Sequence, residues 1–249
     1  MNATIPELNQ ARVYSVPLNV SDSQYADCES SLNAEELARA NRFVHADVRR
    51  RFVVCRGTLR SVLAQMVGCT PSAVTFRYEQ WGKPQLAKPR VPNLHFNVSH
   101  SGEWALIAIA QSPLGVDVEV INSRITYRAI AAQILSPGEQ QSWEQLSSAH
   151  REEATLKLWV CKEALLKAMG LGIAEGLKQV TLPLPLNDHG EFAPLAIDGN
   201  LQMHLEDDGS CRTNHWIDSA AWRLRLLPLI PDSYAALCTA RPIDTVLLD

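Results

Sequence analysis

The chain has 249 residues, of which 46% are hydrophobic and 20% are charged, so it holds enough apolar material for one sizeable core or two smaller ones. Its formal net charge of -4 excludes the overall basic bias of a non-specific nucleic-acid binder, and any attraction for phosphate must come from local patches. The six cysteines lack CxxC or zinc-type spacing, no segment is apolar enough to span a bilayer, and no signal-peptide pattern opens the chain. These features predict a cytoplasmic protein with reduced thiols.

The first half of the chain is predicted to contain a helical region surrounded by short strands. Residues 35–65 have few helix breakers, and apolar side chains recur there at helical spacing, as at Val48, Phe52, Cys55, Leu59, Leu63 and Met66. Short β-prone runs predict strands at 12–18, 74–78, 94–98, 104–110 and 116–121, with a turn at 81–84. We expect the strands at 104–110 and 116–121 to form a hairpin, because a short polar connection joins them.

The second half again has helices followed by strands. Helices are predicted at 125–134, 137–143 and 151–169, the last of them ended by Gly170 and Gly172. Strands are predicted at 179–182, 201–205, 220–227 and 234–240. This order indicates an α+β fold with two halves of similar size that meet near residues 110–115, and the lack of a low-complexity linker predicts that they pack closely.

An acidic pair stands in the strand predicted at 116–121. Asp117 and Glu119 are two residues apart, so both carboxylates point to the same face. Such a pair in a partly buried place suits a hard cation such as Mg2+. The alternative is a solvent-facing strand surface with the intervening valines turned inward.

A second group of charged residues lies in the long helix predicted at 151–169. Glu163 and Lys167 are four residues apart and share a face with Trp159. Glu163 is a candidate third carboxylate for a metal, and Lys167 a candidate phosphate ligand. A surface Glu–Lys pair is the alternative, but this helix is apolar over much of its circumference, which predicts that it is largely buried.

Polar loops and an arginine-rich helix supply further candidate phosphate ligands. Ser99 and His100 precede Gly102 at a strand end, and Lys83 lies in a Gly-Lys-Pro turn. A Ser-His hydrolase is disfavoured, because adjacent residues rarely form a triad and no GxSxG elbow is present. Seven arginines are concentrated in one region: Arg39, Arg42, Arg49, Arg50, Arg51, Arg56 and Arg60. For each of them the alternative is a solvent-exposed side chain on a polar helix face, and this is the expected role of Arg50.

The four motifs in this order resemble one family. Gly115-x-Asp117-x-Glu119, followed by Trp159-x-x-Lys162-Glu163-Ala164-x-x-Lys167, is similar to the paired signature of the 4'-phosphopantetheinyl transferases. The upstream Gly82-Lys83-Pro84 and Asn97-x-Ser99-His100-Ser101-Gly102 resemble the further motifs of the monomeric, surfactin-synthetase-activating type. The resemblance runs from about residue 35 to about residue 240, and Glu36 departs from it where some relatives have a basic residue.

The resemblance implies a pseudo-twofold α+β monomer of two similar subdomains, each with a small, mainly antiparallel sheet packed on a long helix. The expected division is 1–112, with the coenzyme A nucleotide contacts, and 113–249, with the metal ligands. By the same resemblance, Asp117, Glu119 and Glu163 would bind Mg2+, and Lys167 would contact the pyrophosphate. Coenzyme A would be held by Arg39, Arg51, Arg56, Lys83, Ser99, His100, Lys162 and Lys167.

The implied reaction is transfer of 4'-phosphopantetheine from coenzyme A to a serine of an apo acyl or peptidyl carrier protein, which releases 3',5'-ADP. Glu163, Lys167 and Asp117 are the expected catalytic residues, with Glu163 as general base. The carrier could come from fatty-acid, polyketide or non-ribosomal peptide synthesis, and no nucleic acid or membrane partner is expected. A metal-dependent phosphodiesterase acting on pyrophosphates like that of coenzyme A is the alternative enzyme, since it would need the same metal and cations.

Overall fold

The computed structural model describes residues 4–122, 127–171, 176–186, 188, 190–197, 203–205, 213–215 and 221–249. Helices over these residues are α1 Asp22–Ser30, α2 Ala34–Ala40, α3 Ala46–Val67, α4 Tyr127–Ile134, α5 Pro137–Glu144 and α6 Ser148–Met169. The first six strands are β1 Gln10–Pro17, β2 Thr75–Tyr78, β3 Pro84–Lys88, β4 His95–Ser101, β5 Trp104–Ala110 and β6 Leu114–Val120. The later strands are β7 Val180–Thr181, β8 Ala196–Ile197, β9 Met203–Leu205, β10 Thr213–His215, β11 Arg223–Leu226, β12 Ser233–Thr239 and β13 Thr245–Leu248.

The predicted mixture of helices and small, mainly antiparallel sheets is confirmed. A four-stranded sheet has the order β13-β1-β5-β4, and a three-stranded antiparallel sheet has the order β11-β12-β6. One pair is parallel, because β13 returns from the end of the chain and lies beside β1. Some positions in or next to the predicted elements lie outside the described residues: 125, 126, 172, 201, 202 and 220.

The hydrophobic core lies in layers. Helix α3 covers one face of the four-stranded sheet through residues such as Leu59 and Leu63, which pack against Ile107 and Ile109. The two sheets pack face to face through small and branched side chains of β1, β5, β6 and β12. Helix α6 covers the outer face of the three-stranded sheet. Both long helices end at a glycine with left-handed backbone, Gly68 and Gly170, as the absence of a Cβ favours.

The predicted hairpin between residues 104–110 and 116–121 is wrong. Strand β5 pairs with β1 and β4, whereas β6 pairs with β12 in the other sheet. The two strands are apolar on the faces that meet, and Leu106 and Ala108 stack across the sheets against the cluster that holds Val116 and Val118. Burial of both faces therefore favours stacking over edge pairing. The hairpin in this region joins β4 to β5 through Gly102, which has a φ of 56°.

No helix among the described residues is long and apolar enough to cross a membrane. The five described cysteines are free, and Cys211 lies outside the described residues.

Candidate active site

Strand β6 approaches α6 so closely that the residue at the contact must be glycine. A Cβ on Gly115 would lie 2.1 Å from the Ala164 carbonyl oxygen and 2.4 Å from the Ala168 nitrogen. Because side chains alternate along a strand, Asp117 and Glu119 share this face with Gly115, while Val116 and Val118 face the core between the sheets. Gly115 thus brings the acidic pair to the surface of α6.

Asp117 is buried, with 1% of its surface exposed. Its Oδ1 accepts hydrogen bonds from the Ser99 hydroxyl at 2.6 Å and from the Lys167 ammonium. Its Oδ2 is buried and has no hydrogen-bond partner. Burial raises the pKa of Asp117, the attraction of Lys167 opposes the increase and repulsion from Glu163 adds to it, so that the pKa is about 7. The predicted alternative of a solvated acidic strand is therefore wrong for Asp117.

Helix α6 contributes Glu163 and Lys167 to the same place. The Lys167 ammonium lies 3.3 Å from Glu163 Oε2, and the Trp159 indole N–H donates to Glu163 Oε1 at 2.5 Å. Burial lowers the pKa of Lys167, but attraction from Asp117 and Glu163 outweighs it and raises that pKa above its ordinary value. The helix is buried over most of its surface, as predicted, so the pair is not a solvated surface ion pair.

Glu119 completes the acidic group at the end of β6. It is half-buried, and its Oε2 accepts a hydrogen bond of 2.8 Å from the Ser101 hydroxyl. Burial raises the pKa of Glu119 against the effect of that hydrogen bond, and repulsion from Glu163 adds to the increase. Asp117, Glu119 and Glu163 thus form one electrostatically coupled group.

This group has the chemistry of a site for a hard cation. Three carboxylates share one ammonium, that of Lys167, which leaves a buried excess of negative charge. The unpartnered Oδ2 of Asp117 is a free oxygen ligand, and oxygen ligands are what Mg2+ prefers. Among the described residues no group of three or more His, Cys, Asp or Glu side chains is arranged so that it could hold a metal ion as it stands. The three carboxylates match Mg2+ in donor type and charge, but they are not assembled into a metal-binding arrangement.

Ser99 and His100 lie on opposite faces of β4. The Ser99 side chain is buried against Asp117, whereas His100 is exposed. Partial burial of the imidazole lowers the pKa of His100, and the positive charges of Lys167, Arg51 and Arg39 lower it further. The positive charges of Arg39, Arg51 and Lys167 therefore lie close enough to His100 to act on it electrostatically, and these four side chains form a cationic region.

Arg39 and Arg51 occupy this region differently. Arg39 is exposed, with its guanidinium 5.2 Å from the centre of the Phe52 ring. Arg51 donates to the Gly102 carbonyl oxygen at 3.2 Å and is ion-paired with Asp47. Arg51 is therefore held against the β4–β5 turn, next to the serine-rich end of β4.

Glu36 organises two other arginines of α3. Arg60 is fully buried with its Nη2 2.7 Å from Glu36 Oε2, and Arg56 Nε lies 3.7 Å from Glu36 Oε1. The Arg56 guanidinium also lies 5.0 Å from the Phe76 ring centre, and its Nη1 is buried without an acceptor. The carboxylate that departs from the family pattern thus balances buried arginines.

Arg50 does not fulfil the expected solvating role. Its Nη2 donates to the Val20 carbonyl oxygen at 2.6 Å and lies 3.0 Å from Asp22 Oδ1. Its guanidinium stacks over the Tyr25 ring. The prediction was wrong because no local pattern indicates that α1 packs on this face of α3.

Lys83 is bound to backbone at the end of α6. Its Nζ donates to the Lys167 carbonyl oxygen at 2.6 Å and to the Leu114 carbonyl oxygen at 3.0 Å. Burial lowers the pKa of Lys83. Lys83 therefore joins the β2–β3 turn to β6 and to the helix that bears Lys167.

Lys162 is not brought to the carboxylate group, contrary to the prediction that it contacts coenzyme A. Its fully buried Nζ donates to Glu139 Oε2 at 2.7 Å, to the Ile134 carbonyl oxygen at 2.6 Å and to the Leu177 carbonyl oxygen at 2.9 Å. All three N–H bonds of the ammonium are thus occupied on the other side of α6. The helical spacing placed Lys162 near the motif but did not show which neighbour it faces.

Ser101 is a site residue that the sequence analysis named only as part of a motif. It lies two residues after Ser99, and strand alternation was the signal that both hydroxyls face the acidic strand. A cavity of about 310 Å3 elsewhere in the molecule, lined by residues of α1 and the start of α3, contains none of the acidic group.

Comparison with known proteins gives two matching family models. Residues 19–112 match the model described as 4'-phosphopantetheinyl transferase, N-terminal, and residues 113–222 match the 4'-phosphopantetheinyl transferase superfamily. The chain is 36% identical over 178 residues to 4'-phosphopantetheinyl transferase HetI of Nostoc sp.; the aligned region covers 71% of this chain and 75% of that protein. It is 33% identical over 205 residues to a putative 4'-phosphopantetheinyl transferase of Synechocystis sp., which covers 82% and 75%. It is 28% identical over 184 residues to Sfp of Bacillus subtilis, which covers 73% and 74%.

Proposed function

The chain belongs to the 4'-phosphopantetheinyl transferase superfamily, and we propose that it transfers 4'-phosphopantetheine from coenzyme A to a serine of an apo carrier protein with the help of Mg2+. The observation that carries this proposal is the group formed by Asp117, Glu119, Glu163 and Lys167, where buried carboxylates outnumber the ammonium between them. The relatives are named for this transfer, and the group has the charge and ligand type that it needs.

Asp117, Glu119 and Glu163 would hold the Mg2+, and the unpartnered Oδ2 of Asp117 supports that assignment. When bound, Mg2+ would neutralise charge across the pyrophosphate and stabilise the departing phosphate. Lys167 would hold a pyrophosphate oxygen, because its ammonium already lies beside both carboxylates and carries a positive charge at neutral pH.

Glu163 is the proposed general base. The carrier serine hydroxyl would form a bond to the β-phosphorus, the bond from that phosphorus to the oxygen of 3',5'-ADP would break, and the hydroxyl proton would pass to Glu163. The Trp159 N–H holds one oxygen of this carboxylate and Lys167 approaches the other, so its orientation is fixed before the substrate arrives. Positioning and charge stabilisation should supply most of the rate increase, as in phosphoryl transfer generally.

The nucleotide of coenzyme A would bind on the positive side of this group. Arg39 and Arg51 act electrostatically on His100, which supports the assignment of these three cationic side chains to the phosphates of the nucleotide. The buried donor of Arg56 that has no acceptor supports a polar ligand there too. Ser99 would contribute from the edge of the site, while Lys83, whose ammonium is bound to backbone carbonyl oxygens, and Lys162, with its donors occupied, are left out.

A division into subdomains 1–112 and 113–249 is part of the same proposal. The boundary between the two matched family models and the presence of one long helix on the outer face of each sheet support it and the pseudo-twofold arrangement. The pairing of β13 with β1 would then fasten the end of the chain to the first subdomain. A monomeric, cytoplasmic enzyme is proposed on the family resemblance.

The test is to incubate the protein with coenzyme A, MgCl2 and several apo carrier proteins and to weigh the carriers by mass spectrometry. We expect one phosphopantetheine mass on the carrier, and no gain on any carrier would refute the transfer. Release of free phosphopantetheine without modified carrier would favour the phosphodiesterase.

The matched variant for this test is Asp117→Asn, which keeps the shape of the side chain and removes its charge. We expect transfer to fall by about 100-fold or more, the scale of losing one charge-stabilising group in an active site. Circular dichroism should show an unchanged fold. Wild-type turnover in this variant would refute the metal assignment.

A further inference from the structure

Strands β4 and β6 run side by side but belong to different sheets. Strand β4 is an edge of the four-stranded sheet and β6 an edge of the three-stranded sheet. Polar side chains of β4 take the place of a backbone ladder between them. The Val116 N–H donates to Asn97 Oδ1 at 2.9 Å, and the Val120 N–H donates to Ser101 Oγ at 3.2 Å.

The serines of this connection also hold the carboxylates. The Ser99 hydroxyl donates to Asp117 Oδ1 at 2.6 Å, and the Ser101 hydroxyl donates to Glu119 Oε2 at 2.8 Å. Ser101 therefore accepts from the backbone and donates to a carboxylate through a single oxygen. A hydroxyl has one donor, so these two bonds fix the direction of its proton.

Among the carboxylates of the acidic group, Glu119 needs such an anchor most. Asp117 is buried and bound to Lys167, and Glu163 is held by Trp159, whereas Glu119 is half-buried near the end of β6. No hydrogen bond of its side chain to a residue other than Ser101 is found among the described contacts. Without the Ser101 hydroxyl, its carboxylate is free to turn towards solvent.

We propose that Ser101 is a positioning residue, which acts through Glu119 by holding its carboxylate in the direction that a cation between Glu119, Asp117 and Glu163 requires. This inference rests on the proposed function, because it takes the acidic group as a Mg2+ site. Partners of metal-binding side chains commonly change metal affinity by about 10- to 100-fold when they are removed, so a measurable effect follows.

The test compares Ser101→Ala with Ser101→Thr, which keeps the hydroxyl, and with Ser112→Ala as a matched control. Ser112 is a buried serine of the β5–β6 connection whose hydroxyl has no hydrogen-bond partner. Each full-length variant, saturated with coenzyme A, is titrated with MgCl2 by isothermal calorimetry, and thermal unfolding confirms that it is folded. We expect about a 10-fold weaker Mg2+ affinity for Ser101→Ala. Ser101→Thr and Ser112→Ala should both remain within about twofold of wild type, since neither loses a hydroxyl bonded to Glu119.

Transfer kinetics supply the second measurement. In Ser101→Ala the Mg2+ concentration for half-maximal activity should rise about 10-fold while kcat at saturating Mg2+ stays near wild type, because the site is loosened but no reacting group is lost. An unchanged Mg2+ affinity in Ser101→Ala, or an equal loss in either comparison variant, would overturn the positioning role. A wild-type protein that binds no Mg2+ would overturn it together with the metal site.

The inference and the proposed function fail in different ways. If the Mg2+ affinity depends on Ser101 but no carrier gains phosphopantetheine mass, the positioning role stands and the transferase function is wrong. If carriers are modified but Ser101→Ala binds Mg2+ with the affinity of wild type, the function stands and the positioning role is wrong.

Discussion

Asp117 combines deep burial with an attached ammonium, and the two influences act on its pKa in opposite directions. Burial dominates, and the repulsion from Glu163 assists it, so the pKa is raised from an ordinary value of 3.8 to about 7. A carboxyl group with a raised pKa is more costly to ionise in the folded protein than in the unfolded chain. In the metal-free protein the contribution of Asp117 to the free energy of unfolding should therefore fall as the pH rises from about 4 to about 7.

The same shift predicts a pH-dependent affinity for Mg2+. Only the ionised carboxylate would bind the proposed cation, so protons should compete with Mg2+ below the pKa of Asp117. We expect affinity to increase between pH 6 and pH 8 and binding near pH 6.5 to release protons. Calorimetry in buffers of different ionisation enthalpy measures both effects. An affinity that stays constant over this range would show that Asp117 is already ionised at pH 6.

At the scale of elements, the contact between β6 and α6 sets the geometry of the acidic group. The contact is possible because residue 115 has no side chain. It places a strand, on which every second side chain shares a face, against a helix, on which side chains four residues apart share a face. Asp117 and Glu119 from the strand thereby meet Glu163 and Lys167 from the helix.

Substitution of the glycine at this contact should separate the two elements. In Gly115→Ala the new Cβ would meet backbone atoms of α6, which cannot turn aside as a flexible side chain can. We expect a loss of about 3 kcal/mol in the free energy of unfolding, measured in urea, at the upper end of ordinary overpacking.

The control for this substitution is Gly68→Ala at the end of α3. That position has a φ of 69° and nothing within 4 Å, so only backbone strain of about 1 kcal/mol is expected. Equal losses in the two variants would show that backbone strain, and not the contact with α6, explains the effect.

The ion pair between Lys162 and Glu139 joins α6 to α5 away from the acidic group. Both side chains are fully buried, and Glu139 also accepts from the Ser136 and Leu182 backbone N–H groups. In Lys162→Met the carboxylate would keep its charge and lose its ion partner. We expect a loss of about 3–5 kcal/mol in the free energy of unfolding, the usual cost of breaking a buried pair.

Two measurements separate this structural role from coenzyme A binding. Adding Glu139→Gln to Lys162→Met should restore part of the stability, because the unpaired charge is then removed. The affinity of the folded protein for coenzyme A, measured by calorimetry, should stay near wild type in either variant. A large loss of that affinity would show that Lys162 contributes to coenzyme A binding.

At the scale of the whole molecule, strand β13 connects the end of the chain to its beginning. It pairs in parallel with β1, and Val246 opposite Ala11 packs against the core between the two sheets. This core contains residues of β1, β5, β6 and β12, so the strand contributes to the layer between the two sheets.

A charge placed on β13 should therefore weaken the whole fold. In Val246→Asp a carboxylate would enter a partly apolar site, and we expect a loss of about 1–3 kcal/mol in the free energy of unfolding. Thr245→Asp on the exposed side of the same strand is the control and should change it by about 0.5 kcal/mol or less. Equal effects in urea unfolding would show that β13 does not take part in the shared core.

The sequence by itself determined which residues form the acidic group, because the relevant patterns are local. Two-residue spacing in a strand places Asp117 and Glu119 on one face, and four-residue spacing in a helix does the same for Glu163 and Lys167. The order of the motifs indicated the family, which the comparisons confirmed. The helix α6 and its glycine terminus were predicted for the same reason, since their signals lie within a few residues.

The tertiary structure alone decided what each polar side chain faces. Residues distant in the chain decide that Lys162 contacts Glu139 and not a ligand, and that Lys83 contacts backbone and not phosphate. They also decide that β5 stacks on β6 and does not pair with it. Periodicity gives the direction of a side chain on its own element, but the partner and the depth of burial come from long-range packing. The anchoring of Glu119 by Ser101 belongs to this second class, because it joins edge strands of two different sheets.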